Sequence, residues 1–415
     1  MEKEKPRYRK TLVSRVKKFC AGAALGLGLT FGAYNADASP PPWQSVHSAP
    51  SYRAMGKAGD LTSDARIPSN AALQKSKREV TFNVRANPGK IGDAPDELED
   101  MLDLDCLIDE DTSIVNRLLG LVDRVDGFNV DIEFDMRLEA YATFGEDWFG
   151  RYVAGAYGAF DYMMQMGGLK DIGIEDIQFD GDITKPYIDL GEDKTVFDAQ
   201  SLIRSGAYFG YGRRFKVKNS YIAVGLRGTA AQMSYNPIAR VQFKKIIKGV
   251  SDIETDNEDK VEGGGLLLDV HTTALLRDSL FNSRIGLGLT NFGAVWYSDG
   301  RDEGIAPGVA VGLAIHPLHA LKHDNLLLAF DVENIGTGYT EVQAGMSYRL
   351  GFKRLALIPK LGVILNEPDT FSGKGNDIIT AGASLDAGTM QLTGIVEYNT
   401  TKDKYLFNLG IGGRF

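Results

Sequence analysis

FNVDIEFDMRLEAYATF, residues 128–144, decides the fold. Phe128, Val130, Ile132, Phe134, Met136, Leu138, Ala140, Ala142 and Phe144 fall on one face, and Asn129, Asp131, Glu133, Asp135, Arg137, Glu139, Tyr141 and Thr143 on the other. Such period-two alternation is a β-strand, because successive side chains point to opposite sides of the chain. Strands of soluble sheets are usually shorter, whereas a tilted strand needs ~9–11 residues to cross a bilayer with apolar side chains outward and polar ones toward a lumen. The stretch therefore has lipid on one side and water on the other.

The last residues repeat the habit. Tyr405, Phe407, Leu409, Ile411, Gly413 and Phe415 face one way, and Leu406, Asn408, Gly410, Gly412 and Arg414 the other. An aromatic-rich outer row ending on phenylalanine is the closing strand of an outer-membrane barrel. Tyr405, Phe407, Leu409, Ile411 and Phe415 are its expected signal to the barrel-assembly machinery. Similar segments lie near 80–86, 150–166, 203–216, 220–235, 266–276, 283–292, 307–316, 325–334, 340–350, 354–366, 377–385 and 390–399. With the two above they make fourteen strands, an even number as single-chain bacterial barrels require.

Loop lengths fix the orientation. The even-to-odd connections 145–149, 217–219, 277–282, 317–324, 351–353 and 386–389 are short. The odd-to-even connections 87–127, 167–202, 236–265, 293–306 and 367–376 are long, and only 335–339 and 400–404 break the rule. Outer-membrane barrels have short periplasmic turns and long external loops, so the first strand starts at the periplasmic side.

Residues 1–38 read as a cleaved secretory signal: eight Lys or Arg residues before Phe19, an apolar stretch to Tyr34, then Ala36-Asp37-Ala38. Cys20 lies within it without the residues that precede a lipidated cysteine, which leaves Cys106 alone and no internal disulfide to expect. The whole chain has 46 basic and 55 acidic residues; without the signal's eight and three, the net charge is −14. So acidic a protein is not expected to bind nucleic acid.

Within the first long connection, apolar residues from Leu98 to Val122 recur at helical spacing and predict a small helical insertion over 95–126, with Thr112 or Ser113 capping its second helix. Its many acidic residues read as a solvated face beside an apolar one packed on the barrel, with a cation site as the alternative. Residues 248–262 are also acidic but lack the glycine and ligand spacing of an EF-hand loop.

A resemblance enters at the amino-terminal end. Tyr52-Arg53-Ala54-Met55-Gly56-Lys57-Ala58-Gly59, followed by Asn70-Ala71-Ala72-Leu73, resembles the start of the long-chain fatty-acid transporter-like barrels. Gly263 to Asp269 leading to Arg284 to Gly293, and Leu327 to Val332 leading to Ala344 to Tyr348, resemble the same superfamily, with the TraF-like barrels of plasmid conjugation as the nearest relatives. The resemblance implies a fourteen-stranded barrel whose amino-terminal segment, residues 39–77, plugs the lumen of a wall formed by 78–415. It also implies a route for hydrophobic molecules or a surface for partner proteins. Ala71 stands where those barrels have proline, and Pro68 lies two residues before Asn70.

No chemistry of catalysis is expected. His316, His319 and His323 have H-x2-H-x3-H spacing but only Asp324 nearby as a carboxylate, so no metal is assigned. Asp269 and His271 share a strand face without a G-x-S-x-G elbow, and the strand glycines Gly410, Gly412 and Gly413 precede no helix that would make a phosphate loop. No cofactor is implied. The expected lumen charges are Asp131, Glu133, Asp135, Arg137, Glu139, Arg227, Arg284, Asp331, Glu333, Glu341, Arg349, Lys360, Glu397 and Arg414, a mixture suited to pinning a plug. Pro359 removes a ladder donor within a strand, which predicts a bulge or kink that could open toward lipid. Two functions follow: a plugged channel for small hydrophobic or amphipathic molecules, or an outer-membrane scaffold whose external loops and helical insertion dock a protein partner.

Overall fold

The computed structural model describes residues 53–55, 57–74, 77–87, 129–145, 149–167, 177–179, 186–189, 195–247, 250–256, 260–277, 282–298, 300, 302–305, 307–319, 325–337, 340–352, 355–368 and 375–414. The expected signal at 1–38, the helical insertion at 95–126, His323 and Phe415 lie outside them. Fourteen strands form the wall: β1 (Arg78–Ala86), β2 (Asn129–Phe144), β3 (Arg151–Gly167), β4 (Thr195–Val217), β5 (Ser220–Ile247), β6 (Val261–Arg277) and β7 (Asn282–Tyr297), then β8 (Gly308–Ile315), β9 (Leu326–Ile335), β10 (Glu341–Tyr348), β11 (Leu355–Pro368), β12 (Gly375–Asp386), β13 (Met390–Asn399) and β14 (Lys404–Arg414). Each pairs antiparallel with its sequence neighbours. β14 pairs back to β1 from Glu79↔Arg414 to Ala86↔Phe407 and closes the barrel, so no wall strand is left with an open edge.

Alternation sets the two faces. In β14, Leu409 is 53% exposed and Asn408 4%; Tyr405, Phe407 and Ile411 lie in the outer row with Leu409, and Leu406 in the inner one. Met136, Leu138 and Phe144 of β2 likewise face out, while Glu139, Tyr141 and Thr143 are buried within. Near the short-turn end an aromatic belt forms on the outside: Phe144 stacks on Tyr152 at 5.5 Å, and Tyr152 meets Phe209 at 5.9 Å and Tyr211 at 5.1 Å between ring centres. Aromatic girdles of this kind sit at a membrane interface.

Three connections expected as loops are partly strands. β4 and β5 run for 23 and 28 residues, well beyond the wall, and their extension is joined by Val250–Asp256 and Pro186–Asp189, the latter also paired with Ile177–Phe179. Asp302–Ile305 similarly pairs with the end of β7. Outside the membrane a ladder has water on both sides, so its hydrogen bonds persist where the apolar row that marked the strands stops.

Besides register shifts in the β4–β5 ladder and its extension, three bulges mark the long-loop half of the wall. One extra residue is inserted on β7 between Leu289 and Phe292, on β9 opposite Val309–Val311, and on β11 between Ile364 and Glu367. Each carries an asparagine at positive φ: Asn291 at 58°, Asn334 at 57° and Asn366 at 60°. Asparagine is the side-chain-bearing residue that enters this region most readily. Pro359 makes no bulge: it pairs with Ala383 in an unbroken run with β12, and on the other side Ser347↔Lys360 and Leu350↔Leu357 keep one register across a short gap. The missing N–H interrupts the ladder on one side without shifting it.

Candidate functional site

Residues 53–55 and 57–74 lie inside the barrel and among the described residues form two short helices, α1 (Asp60–Ser63) and α2 (Pro68–Leu73), joined by turns. Pro68 opens α2, where its missing N–H costs nothing, and Gly59 at φ 95° turns the chain into α1. The segment is made of small residues that fit a narrow lumen. Met55 and Ala58 pack on Ala314 and Ala329; Leu61 and Ile67 pack on Ala310; Ala65 and Ala71 pack among Tyr141, Val153, Tyr157 and Tyr208. Glycines in the wall admit its backbone. A Cβ at Gly212 would stand 1.9 Å from the Pro68 carbonyl oxygen, and one at Gly345 would stand 2.0 Å from that of Met55.

Cations on the segment meet acids on the wall. Arg53 donates through Nε and Nη2 to Glu397 at 2.9 Å each, and through Nη2 to Glu367 at 2.8 Å. Lys57 lies 3.0 Å from Glu341 and 2.7 Å from Glu367. Arg66 bridges Asp64 at 2.7 Å and Glu139 at 2.5 Å, and Glu139 also accepts from the Tyr208 hydroxyl at 2.7 Å. Burial alone would lower the pKa of all three cations. The neighbouring carboxylates outweigh it and raise each above its ordinary value: Glu367 and Glu397 for Arg53, Glu341 and Glu367 for Lys57, Asp64 and Glu139 for Arg66. Hydrogen bonds outside the ion pairs add to these. The N–H groups of Gly59 and Leu61 donate to Asp331 at 2.8 and 3.3 Å, Thr273 links Ser69 and Asn70, and Thr380 donates to the Ala54 carbonyl at 3.2 Å. Buried ion pairs add little net stability because desolvation offsets their attraction, but removing one partner leaves an uncompensated buried charge and is costly.

Of the expected lumen charges, Glu139, Asp331, Glu341 and Glu397 meet the segment, and Arg284 donates weakly to Thr62 at 3.4 Å. Arg227 pairs with Asp269 at 2.8 Å, Asp135 with Arg85 at 2.9 Å, and Arg137 lies 3.9 Å from Asp161. Glu133 takes Lys402 at 3.0 Å, with Lys404 beside it. Glu333 lies with Asn334 at the β9 bulge, and Lys360 is buried. Arg349 stands in the gap after β10, its side chain 53% exposed and 3.1 Å from Asp386. Arg414 reaches Gln391 at 3.1 Å. Asp131 sits in β2 opposite Gln165, its side chain outside the described set. Arg53, Lys57, Arg66, Glu367 and Asp269 were not among the expected lumen charges. The first two lie in the stretch that carried the family resemblance, where no strand period points to them.

A cavity lies on each side of the segment. The one toward the short turns holds about 190 Å³ and is lined by Lys77, Glu79, Ser347, Lys360 and Arg414; the one toward the long loops holds about 90 Å³ and is lined by Asp269, His271, Glu333 and Glu341. Asp64 and Arg66 line both. The pair therefore forms part of the partition between the two ends. Among the described residues no three His, Cys, Asp or Glu converge on a possible metal position.

No protein-family model and no curated protein matches the chain. Among solved structures it is similar to a TodX deltaS2S3 mutant monoaromatic hydrocarbon channel, at 9% identity over 88% of this chain and 97% of that one, TM-score 0.47. It is also similar to CdiB from Acinetobacter baumannii, at 8% identity over 83% and 60%, TM-score 0.33, and to the translocator domain of the autotransporter NalP from Neisseria meningitidis, at 11% over 86% and 100%, TM-score 0.30. Identities and TM-scores this low leave the family open.

Proposed function

We propose that the chain is an outer-membrane channel for small hydrophobic or amphipathic molecules, closed at rest by its own amino-terminal segment. The observation that carries this reading is the partition: two cavities reach the segment from opposite ends and share Asp64 and Arg66. Removing the Arg66 side chain takes away one shared wall and leaves Glu139 without its cation. In planar bilayers, Arg66→Ala should raise conductance above that of the unaltered protein, and deletion of residues 39–77 should raise it further. No conductance and no solute flux in any of the three would sink the channel reading.

The same proposal takes residues 1–38 as a signal removed on export and the β14 row as the signal for membrane assembly. Protein recovered from outer membranes should begin after Ala38, and deleting Phe415 should lower the amount recovered. An intact leader or undiminished recovery would count against the corresponding part.

A scaffold for a conjugation or secretion partner is the second reading. It is favoured by the β4–β5 extension, a ladder projected past the membrane on the long-loop side. Crosslinking from that extension to another protein, together with absence of flux in every variant, would favour it.

A further inference from the structure

The cavity on the long-loop side carries acidic groups that the seal does not pair. Five carboxylates line it, from Asp60, Asp64, Asp269, Glu333 and Glu341, against the cations Lys57, Arg66 and Arg227. Asp64 is matched by Arg66, Asp269 by Arg227 and Glu341 by Lys57. Asp60 and Glu333 form no ion pair among the described residues. Asp60 is only 9% exposed, and its Oδ1 has no hydrogen-bond partner. Burial foremost, and Asp64 after it, hold the Asp60 carboxyl well above the usual carboxylate range. Arg66 pulls it down without offsetting them.

An independent observation points to the same place. His271, on β6, lines this cavity, is 2% exposed, and has no hydrogen-bond partner at either ring nitrogen. Buried polar atoms are rarely left so, and a neutral imidazole has one acceptor to offer. At about 90 Å³ the space equals roughly three waters at ~30 Å³ each, room for an ammonium group bearing one or two carbons. A bare metal ion lacks its ligand set here. A protonated amine needs only acceptors in several directions around its N–H groups.

We propose that this cavity is a binding subsite for the protonated amine head of a small amphipathic solute, which donates to Asp60 Oδ1, to the Glu333 carboxylate and to the His271 imidazole. The proposal rests on the channel reading only for the way in which the solute arrives.

The test is calorimetric titration of the full chain in lipid nanodiscs with ethylammonium, with ethanol as the neutral control of similar size. Saturable binding of ethylammonium, no saturable binding of ethanol, and at least tenfold weaker binding in both Asp60→Asn and Glu333→Gln are expected. Absence of ethylammonium binding, equal binding of ethanol, unchanged affinity in both variants, or displacement by equimolar potassium would each overturn it. Binding without flux would leave the subsite standing and remove the channel; flux without binding would do the reverse.

Discussion

Arg53→Ala will unseat the amino-terminal segment while leaving the barrel closed. The guanidinium bridges Glu397 and Glu367, both buried and both accepting from its Nη2, and removing one partner of a buried ion pair typically costs about 3–5 kcal/mol. Arg85 still reaches Glu397 at 3.1 Å and Lys57 still reaches Glu367 at 2.7 Å, so the low end applies. About 3 kcal/mol shifts the ratio of seated to released segment by roughly 150-fold. The measurement is paired: conductance in planar bilayers, and cleavage of the segment by an added protease. Both should rise together in Arg53→Ala and rise further when Lys57→Ala is added. Unchanged leak and unchanged cleavage would show that the ion pairs do not hold the seal.

Gly212→Val tests the seat from the wall side. The clash it introduces is with backbone, since a Cβ there would stand 1.9 Å from the Pro68 carbonyl oxygen, and no rotation of a side chain relieves it. Forced overpacking costs about 1–3 kcal/mol where neighbours can shift; here the neighbour that must shift is the whole turn at Pro68. The expected result is a leak approaching that of the 39–77 deletion, with the folded barrel still recovered from membranes. Gly228→Val is the control, because a Cβ at Gly228 meets nothing within 4 Å. Equal behaviour of the two variants would remove the seat from the account.

The wall was legible in the sequence because lipid enforces a single rule on every strand that crosses it. Leu409 against Asn408, or Leu138 against Glu139, can be assigned to a side without knowing any partner. The ends of the strands were not legible, since the β4–β5 extension is held by hydrogen bonds that impose no apolar row. Glu367 shows why part of the site was hidden. It falls in the expected connection 367–376, and even on a longer strand counting by twos from the buried Ile364 puts it on the outside, whereas the extra residue at Asn366 turns it inward to Arg53 and Lys57. A bulge changes the count by one, and nothing in the alternation announces it. The cations of the segment were hidden for a different reason: Arg53, Lys57 and Arg66 lie on turns and short helices without a period, and of the acids they meet only Glu139, Glu341 and Glu397 were placed on strands.

The hydrogen bonds described above between residues 53–74 and the wall run through side chains on the wall: carboxylates, Thr273, Thr380 and Arg284. Backbone pairing with the wall begins at Lys77, whose carbonyl accepts from the Thr143 N–H at 2.7 Å beside the first rungs of β1. Residues 53–74 can therefore leave their seat without breaking a rung of the wall. A variant that has lost its stopper still presents a closed barrel, so a screen for recovered, folded barrel would pass a protein that no longer holds anything back.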